Sequence, residues 1–186
     1  MGLLIKDEGF SFPEEYFPFL KKGGRFYIGK ALLRFKWTIE NLSNLSKIIK
    51  GEVEVKGHDV HDEISTAFYL DFVREFNKPY IKIMASRLKE NFKNAKTLLD
   101  IGGGHGLYTQ KALKEHPHLQ GTLLDLPHAI DYAQNLHTDK DYFSRLHLLK
   151  GDSREVKIEK KYDVITMNDL LHYFTEDEKK DLIKKA

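Results

Sequence analysis

The sequence predicts an α/β fold in which a helical segment precedes a parallel sheet. Before about residue 95, apolar residues recur at helical spacing, whereas after it short apolar runs alternate with helices and turn signals. Strands that alternate with helices form βαβ units, which build parallel sheets with right-handed crossovers. A glycine-rich segment at residues 100–106 follows the first of these strands, as is typical of a ligand-binding loop.

The N-terminal half is predicted to contain a hairpin and three helices. Residues 3–12 place turn-forming residues between apolar pairs, which is typical of the end of a small hairpin. Apolar residues on one helical face predict a helix over 30–50, and a second helix is predicted at about 61–76. A third helix is expected to begin at the cap Asn77, with Pro79 in its first turn.

The C-terminal half is predicted to contain four strands joined by helices. The strands are expected at residues 97–101, 121–126, 146–150 and 162–167. One helix ends before Pro117, and another is opened by Pro127. A charged helix over 175–186 is expected to begin with a capping box, because Thr175 can cap it and Glu178 is the third helical residue.

The composition restricts the class of protein. The chain has 186 residues, a formal net charge of +2 and no cysteine. Such a length predicts one domain, or one domain with a helical appendage, and the balanced charge is not the footprint of a nucleic-acid-binding protein. The lack of cysteine excludes disulfides, thiolate metal sites and cysteine catalysis. We find neither a signal peptide nor an apolar run of about 20 residues, and therefore expect a soluble cytoplasmic protein without nucleic-acid or membrane partners.

The segment DIGGGHG, residues 100–106, is the strongest candidate for a ligand site. Glycines let the backbone approach a ligand closely, and the helix that follows directs free N–H groups at it. A dinucleotide fingerprint does not fit, because Leu107 stands where its third glycine belongs, and the Lys of a P-loop is absent. An NAD-dependent oxidoreductase is therefore disfavoured. The pattern that fits is D-x-G-x-G-x-G.

This pattern resembles the glycine motif of class I S-adenosylmethionine-dependent methyltransferases. Its in-phase residues are Asp100, Gly102, Gly104 and Gly106. The chain is most similar to the small-molecule O-methyltransferases that carry a winged-helix domain, because GTLLDLPHAI, Gly151-Asp152 and NDLLHYFTEDE resemble the segments that end their next three strands. The run FSFPEEYFPFLKKGGRFYIG resembles the segment that leaves the wing. The resemblance extends from about residue 3 to residue 186.

The resemblance implies a Rossmann-like sheet, S-adenosyl-L-methionine as cofactor and a small-molecule methyl acceptor. The implied cofactor-binding residues are Asp100, Gly102, Gly103, Gly104, Gly106, Asp125, Leu126, Asp152, Ser153 and Asn168. Asp125 would accept from the ribose hydroxyls and Leu126 would pack on the adenine. Asp152 would accept from the adenine amino group, and His172 occupies the position of the family's general base.

The chain also departs from the family pattern. Tyr173 follows His172 where many relatives carry an Asp, and Asn168 stands where some carry a Lys. Fewer strands are predicted than a complete family domain has, so we expect a chain truncated at both ends. Residues 1–57 would form a winged-helix wing remnant and a dimerisation-type helix. Residues 58–186 would form linking helices and a partial cofactor domain, and a homodimer through the helices of 30–92 is expected.

Alternatives to these roles remain open. The chain can be a non-catalytic cofactor-binding or structural fragment of such an enzyme. Asp125 can act as a helix cap before Pro127, Asp152 as an ordinary turn residue, and His172 in packing alone.

A histidine-rich cluster upstream is a candidate metal site. Its residues are His58, Asp59, His61 and Asp62. Two His side chains at this spacing near a helix start are more often solvated, and no third ligand is evident. We therefore expect no metal.

Overall fold

The computed structural model describes residues 5–6, 10–11, 13–22, 24, 27–55, 59 and 61–186. The chain divides into two compact units. The first comprises Met1–His58 and Asp71–Phe76, and the second comprises Asp59–Leu70 and Asn77–Ala186. In the ranges that the structure describes, no helix has the length and apolar character needed to cross a bilayer.

The first unit begins with the predicted hairpin. Strand β1 (Ile5–Lys6) pairs in antiparallel orientation with β2 (Phe10–Ser11). The turn between them lies outside the described residues. A 3₁₀ turn at Glu14–Tyr16 then leads into the one-turn helix α1 (Phe17–Leu20).

The helix predicted over 30–50 is in fact two helices, α2 (Gly29–Ser43) and α3 (Leu45–Ile49). The break falls at Asn44, whose side-chain Nδ2 donates to the Glu40 carbonyl at 2.9 Å. An asparagine side chain that bonds the preceding turn offers the backbone an alternative to the helical ladder, which explains the interruption. Gly51 lies just beyond α3 with a φ of 73°, which agrees with the helix end predicted at residue 50.

Helix α4 (Glu63–Phe92) runs without interruption through 30 residues, so the prediction of two helices is wrong. Asp62 caps it by accepting from the Ser65 N–H at 2.6 Å. Asn77 is therefore no cap, and Pro79 is interior. Proline removes one hydrogen bond from a helix. Tertiary packing outweighs that cost, because α4 buries Leu70 before the proline and Phe92 after it.

The second unit contains the predicted parallel sheet. Its strands are β3 (Thr97–Ile101), β4 (Gln120–Asp125), β5 (Leu146–Lys150) and β6 (Val164–Thr166). The spatial order is β5-β4-β3-β6, and all neighbours are parallel. The central strand β3 places Leu99 beside Thr122 of β4 and Ile165 of β6. The fold class is thereby confirmed.

Helices follow the strands as expected. They are α5 (Leu107–Glu115), α6 (Pro127–His137) and α7 (Glu176–Lys185), with 3₁₀ turns at Phe143–Arg145 and Leu171–Tyr173. The capping box of α7 is confirmed, because Glu178 accepts from the Thr175 N–H at 2.8 Å and Thr175 accepts from the Glu178 N–H at 3.4 Å.

Apolar side chains bury both faces of the sheet. Leu98 and Leu123 belong to one cluster, in which residues of α5 and α6 also lie. Leu99 and Leu124 belong to a second cluster, which includes Leu182 of α7. Neighbouring strand residues point to opposite faces, so the apolar runs of a parallel sheet serve two layers at once. The carboxyl ends of β3 and β4 are held between these layers.

Candidate functional site

The glycine-rich loop connects β3 to α5 at the carboxyl edge of the sheet. Three of its residues have left-handed backbones: Gly102 (φ 67°), Gly104 (φ 52°) and Gly106 (φ 68°). Residues that carry a side chain rarely adopt this backbone conformation, so glycine is required at these turns. The Gly102 N–H donates to the Leu124 carbonyl of β4 at 2.8 Å. The Gly106 N–H donates to the Gly103 carbonyl at 2.9 Å, which closes a tight turn.

Gly103 is required for a different reason. Its φ does not lie in the left-handed region, but a Cβ there would overlap the Leu123 side chain and lie 2.7 Å from Asp100 Oδ2. Packing beneath the loop therefore demands glycine at this position, independently of any ligand.

Asp100 lies beneath the loop with no exposed surface. Its Oδ2 accepts from the Thr109 hydroxyl of α5 at 2.7 Å, and its Oδ1 accepts from the Thr166 hydroxyl of β6 at 2.8 Å. Burial raises the pKa of Asp100 to about 6, and the charge of Asp125 adds to this. The hydroxyls and the Asn168 side chain oppose the rise. Asp100 thus joins three elements around the loop.

Asp125 ends β4 and reaches the loop directly. Its Oδ2 accepts from the Gly104 N–H at 2.7 Å, and its Oδ1 accepts from the Leu126 N–H at 2.7 Å. Burial raises the pKa of this carboxyl, while the two backbone N–H groups lower it. Each carboxylate oxygen can accept more than one hydrogen bond, so capacity remains for hydroxyl donors.

Asp152 follows β5, and its carboxylate is engaged by Arg154. Oδ1 accepts from the Arg154 N–H at 2.8 Å and from its Nε at 2.9 Å. This pairing is the main reason why the pKa of Asp152 is lowered. The Arg154 Nη1 atom also lies 3.6 Å from Glu178 Oε1 of α7. The Ser153 carbonyl accepts from Lys185 Nζ at 3.1 Å. None of these partners of Asp152 and Ser153 is predicted from the sequence.

The segment after β6 contains Asn168 and a strained neighbour. The Asn168 side chain lowers the pKa of Asp100. Asp169 has a φ of 55°, and among the described residues it is the non-glycine residue with a positive φ. Such strain clusters at functional sites, which makes Asp169 a candidate site residue that no sequence motif indicates.

His172 lies in the 3₁₀ turn that follows, with 54% of its side chain exposed. Its Nδ1 is 3.6 Å from Asp169 Oδ1, and its ring lies against that of Tyr173 with centroids 4.0 Å apart. The Tyr173 hydroxyl is 3.0 Å from that of Tyr69 in α4. An imidazole, a carboxylate and two phenols therefore lie close together. Only the imidazole is predicted from the sequence.

The upstream histidine cluster forms no metal site in the residues described. There, no group of three or more His, Cys, Asp or Glu side chains could hold a metal. The His61 N–H donates to Asp59 Oδ1 at 2.8 Å, and Asp62 caps α4. His58 lies outside the described residues.

These features define a Rossmann-like cofactor-binding domain, with its loop at the carboxyl edge of a parallel sheet. The sequence model of the O-methyltransferase domain matches residues 57–186, more than half of the chain. The chain belongs to this family, as the resemblance implies. S-adenosylmethionine is the cofactor of the family.

Comparisons with known proteins support this family. The chain is 32% identical over 107 residues to the (RS)-norcoclaurine 6-O-methyltransferase of Coptis japonica, covering 56% of this chain and 28% of that protein. An O-methyltransferase family protein from Burkholderia thailandensis shares the fold with a TM-score of 0.80 and 24% identity, covering 100% of this chain and 57% of that one.

A ligand-bound structure is also similar in fold. Human N-acetylserotonin methyltransferase in complex with S-adenosylmethionine has a TM-score of 0.74 and 14% identity, covering 98% of this chain and 56% of that one. The chain spans less than half the length of the curated relatives it matches.

The pKa of Asp100 predicts how stability depends on pH. The carboxyl takes up a proton near pH 6 when folded and near 3.8 when unfolded. The folded state therefore binds more protons between these values, and this group lowers the free energy of unfolding as pH rises through the window. Asp100→Asn cannot titrate. The free energy of unfolding of the wild type, minus that of Asp100→Asn, should therefore fall by up to about 3 kcal/mol between about pH 4 and about pH 7.

Urea denaturation of both proteins at several pH values measures this difference. Asp131→Asn, at an exposed ion pair with Lys150, is the control for loss of one carboxylate. If the difference in unfolding free energy stays constant or rises with pH, the raised pKa of Asp100 is contradicted.

Proposed function

We propose that the chain forms the cofactor-binding part of an S-adenosylmethionine-dependent O-methyltransferase that acts on a hydroxyl of a small organic molecule. The observation that carries the proposal is the bond between the Gly104 N–H and the Asp125 carboxylate at the sheet edge. It joins the glycine motif to the acid of the next strand, in a family with this cofactor. The 6-O-methyltransferase named above supports a hydroxyl as acceptor.

In this proposal the cofactor supplies a methyl group already activated on a sulfonium. Asp125 accepts from the ribose hydroxyls, because its oxygens lie at the loop and retain acceptor capacity. Leu126 contacts the adenine. Asp152 accepts from the adenine amino group only by sharing its carboxylate with Arg154, since both oxygens already bond that guanidinium. Asn168 and Ser153 complete the proposed set.

Asp125→Ala tests the cofactor site. Removal of the carboxylate should weaken S-adenosylhomocysteine binding at least about tenfold, because a hydrogen-bonded charged group is lost. Isothermal titration calorimetry measures the affinity, with NAD as the control ligand. Asp131→Ala, which removes an exposed carboxylate from α6, should leave the affinity unchanged. A folded wild type that does not bind S-adenosylhomocysteine would overturn the proposed site.

We propose His172 as the general base. Its imidazole is exposed, and it follows β6 at the same edge of the sheet as the loop. A neutral imidazole can take the proton of an acceptor hydroxyl as the oxygen attacks the methyl carbon. Asp169, whose Oδ1 lies 3.6 Å from Nδ1, would stabilise the imidazolium that results. Orientation of the acceptor supplies the rest of the rate enhancement.

His172→Gln should slow methyl transfer roughly 10²–10⁴-fold and leave S-adenosylhomocysteine affinity unchanged, because general-base catalysis acts only on the chemical step. S-adenosylhomocysteine formation with a panel of phenolic acceptors, followed by mass spectrometry, measures the rate. His118→Gln, at an exposed histidine, is the control. A wild type that binds the cofactor but methylates no acceptor would favour the alternative, a non-catalytic fragment of such an enzyme.

We also propose a homodimer through the helices of residues 30–92, and a cytoplasmic location. Residues 1–57 would be the wing remnant and dimerisation helix, and 58–186 the linking helices and cofactor domain. The dimer is supported by a row of exposed apolar side chains on α2 and α3: Leu32, Phe35, Ile39, Leu42, Leu45 and Ile49. Their three- and four-residue spacing is that of a helix-packing seam.

Ile39→Glu tests the dimer. Ile39 is 63% exposed, so the folded chain tolerates a charge there while an apolar interface does not. Light scattering after size exclusion should give twice 21.7 kDa for the wild type and 21.7 kDa for the variant. Thr38→Glu adds the same charge beside the row and should preserve the dimer. A monomeric wild type would contradict the proposal.

A further inference from the structure

A buried histidine at the end of α6 contacts the glycine loop and has no role among the residues named in the proposed function. His137 has no exposed surface. Its Nε2 lies 2.9 Å from the His105 carbonyl oxygen, and its Nδ1 lies 2.5 Å from the Tyr142 hydroxyl. Gln110 Nε2 donates to the same hydroxyl oxygen at 2.7 Å. The four groups form a continuous chain of hydrogen bonds.

The partners determine which ring nitrogen of His137 carries hydrogen. A backbone carbonyl can only accept, so Nε2 has to donate to His105. In the neutral ring Nδ1 is then an acceptor, and the Tyr142 hydroxyl donates to it. The Tyr142 oxygen in turn accepts from Gln110. Each group therefore has a complementary partner when His137 is neutral.

The surroundings of His137 also favour the neutral ring. Burial is the main cause that lowers its pKa, and the ammonium groups of Lys140 and Lys114 lower it further. The hydrogen bond to the His105 carbonyl opposes the change. Lys114 lies 5.5 Å from the centroid of the Tyr142 ring, so a cation faces the network from α5.

The imidazole contacts the loop backbone where the loop becomes a helix. The His105 carbonyl lies between Gly104, whose N–H bonds Asp125, and Gly106, which precedes α5. A Cβ at Gly106 would lie 2.9 Å from His137 Nε2. Asp125 thus holds one side of the loop, and His137 holds the peptide that follows.

We propose that His137 is a positioning residue of the cofactor loop, whose neutral ring holds the His105 carbonyl and so keeps the loop N–H groups in their binding geometry. The proposal rests on the proposed cofactor site. Loss of the hydrogen bond from Nε2 to the His105 carbonyl should therefore weaken cofactor binding.

Two substitutions separate the contacts of the ring. His137→Gln has the length to place an amide N–H near the position of Nε2 and donate to His105. His137→Asn ends near Nδ1 and can accept from Tyr142, but it does not reach His105. S-adenosylhomocysteine should bind the Gln variant within about threefold of wild type and the Asn variant about tenfold more weakly. His147→Gln, at an exposed histidine of β5, is the control.

A purely structural role would weaken both variants equally, because both lose the ring, and that result would overturn the proposal.

Hydrogen–deuterium exchange without cofactor keeps the proposal testable if wild type binds nothing. The peptide covering residues 101–107 should exchange faster in His137→Asn than in His137→Gln or wild type, because its carbonyl anchor is lost. The peptide of β5 should exchange alike in all three. Equal exchange of the loop in both variants would overturn the positioning role, whereas absent binding alone would overturn the proposed function.

Discussion

The buried carboxylate of Asp100 is the interaction on which the loop and its surroundings depend. It accepts from Thr109 of α5 and from Thr166 of β6, and so fastens one helix and one neighbouring strand to the central strand β3. Burial of a carboxyl is costly, as its pKa of about 6 shows. The hydroxyl partners offset part of that cost. The residue at which the loop begins is therefore fixed by hydrogen bonds to both α5 and β6.

Two further anchors come from β4 and α6. The carboxylate of Asp125 binds the Gly104 N–H, and His137 binds the next carbonyl. A glycine loop has little side-chain packing of its own, so its geometry depends on such contacts with the surrounding elements. Asp125 also has the capacity to accept from a ligand. In this site the group proposed to bind the cofactor therefore also shapes the loop.

Local rules predicted most elements but not their continuity. The strands at residues 97–101 and 146–150 and the capping box at Thr175 follow from apolar runs and turn chemistry alone. Pro79 is a strong local signal for a helix boundary, yet α4 continues through it because residues on both sides are buried. Conversely, the helix expected over 30–50 is interrupted at Asn44 by a side-chain bond that periodicity does not reveal.

The sequence by itself determined the parallel α/β class, the family and the residues of the glycine loop, because these depend on short-range periodicity and on motifs within a few residues. Only the tertiary structure decided which groups surround the loop. The bond from Gln110 to Tyr142 and the bond from His137 to His105 join residues 32 positions apart. The engagement of Asp152 by Arg154 and the strained backbone of Asp169 depend on side-chain and backbone geometry. Residue types along the chain do not specify such geometry, because it arises when separate elements pack together.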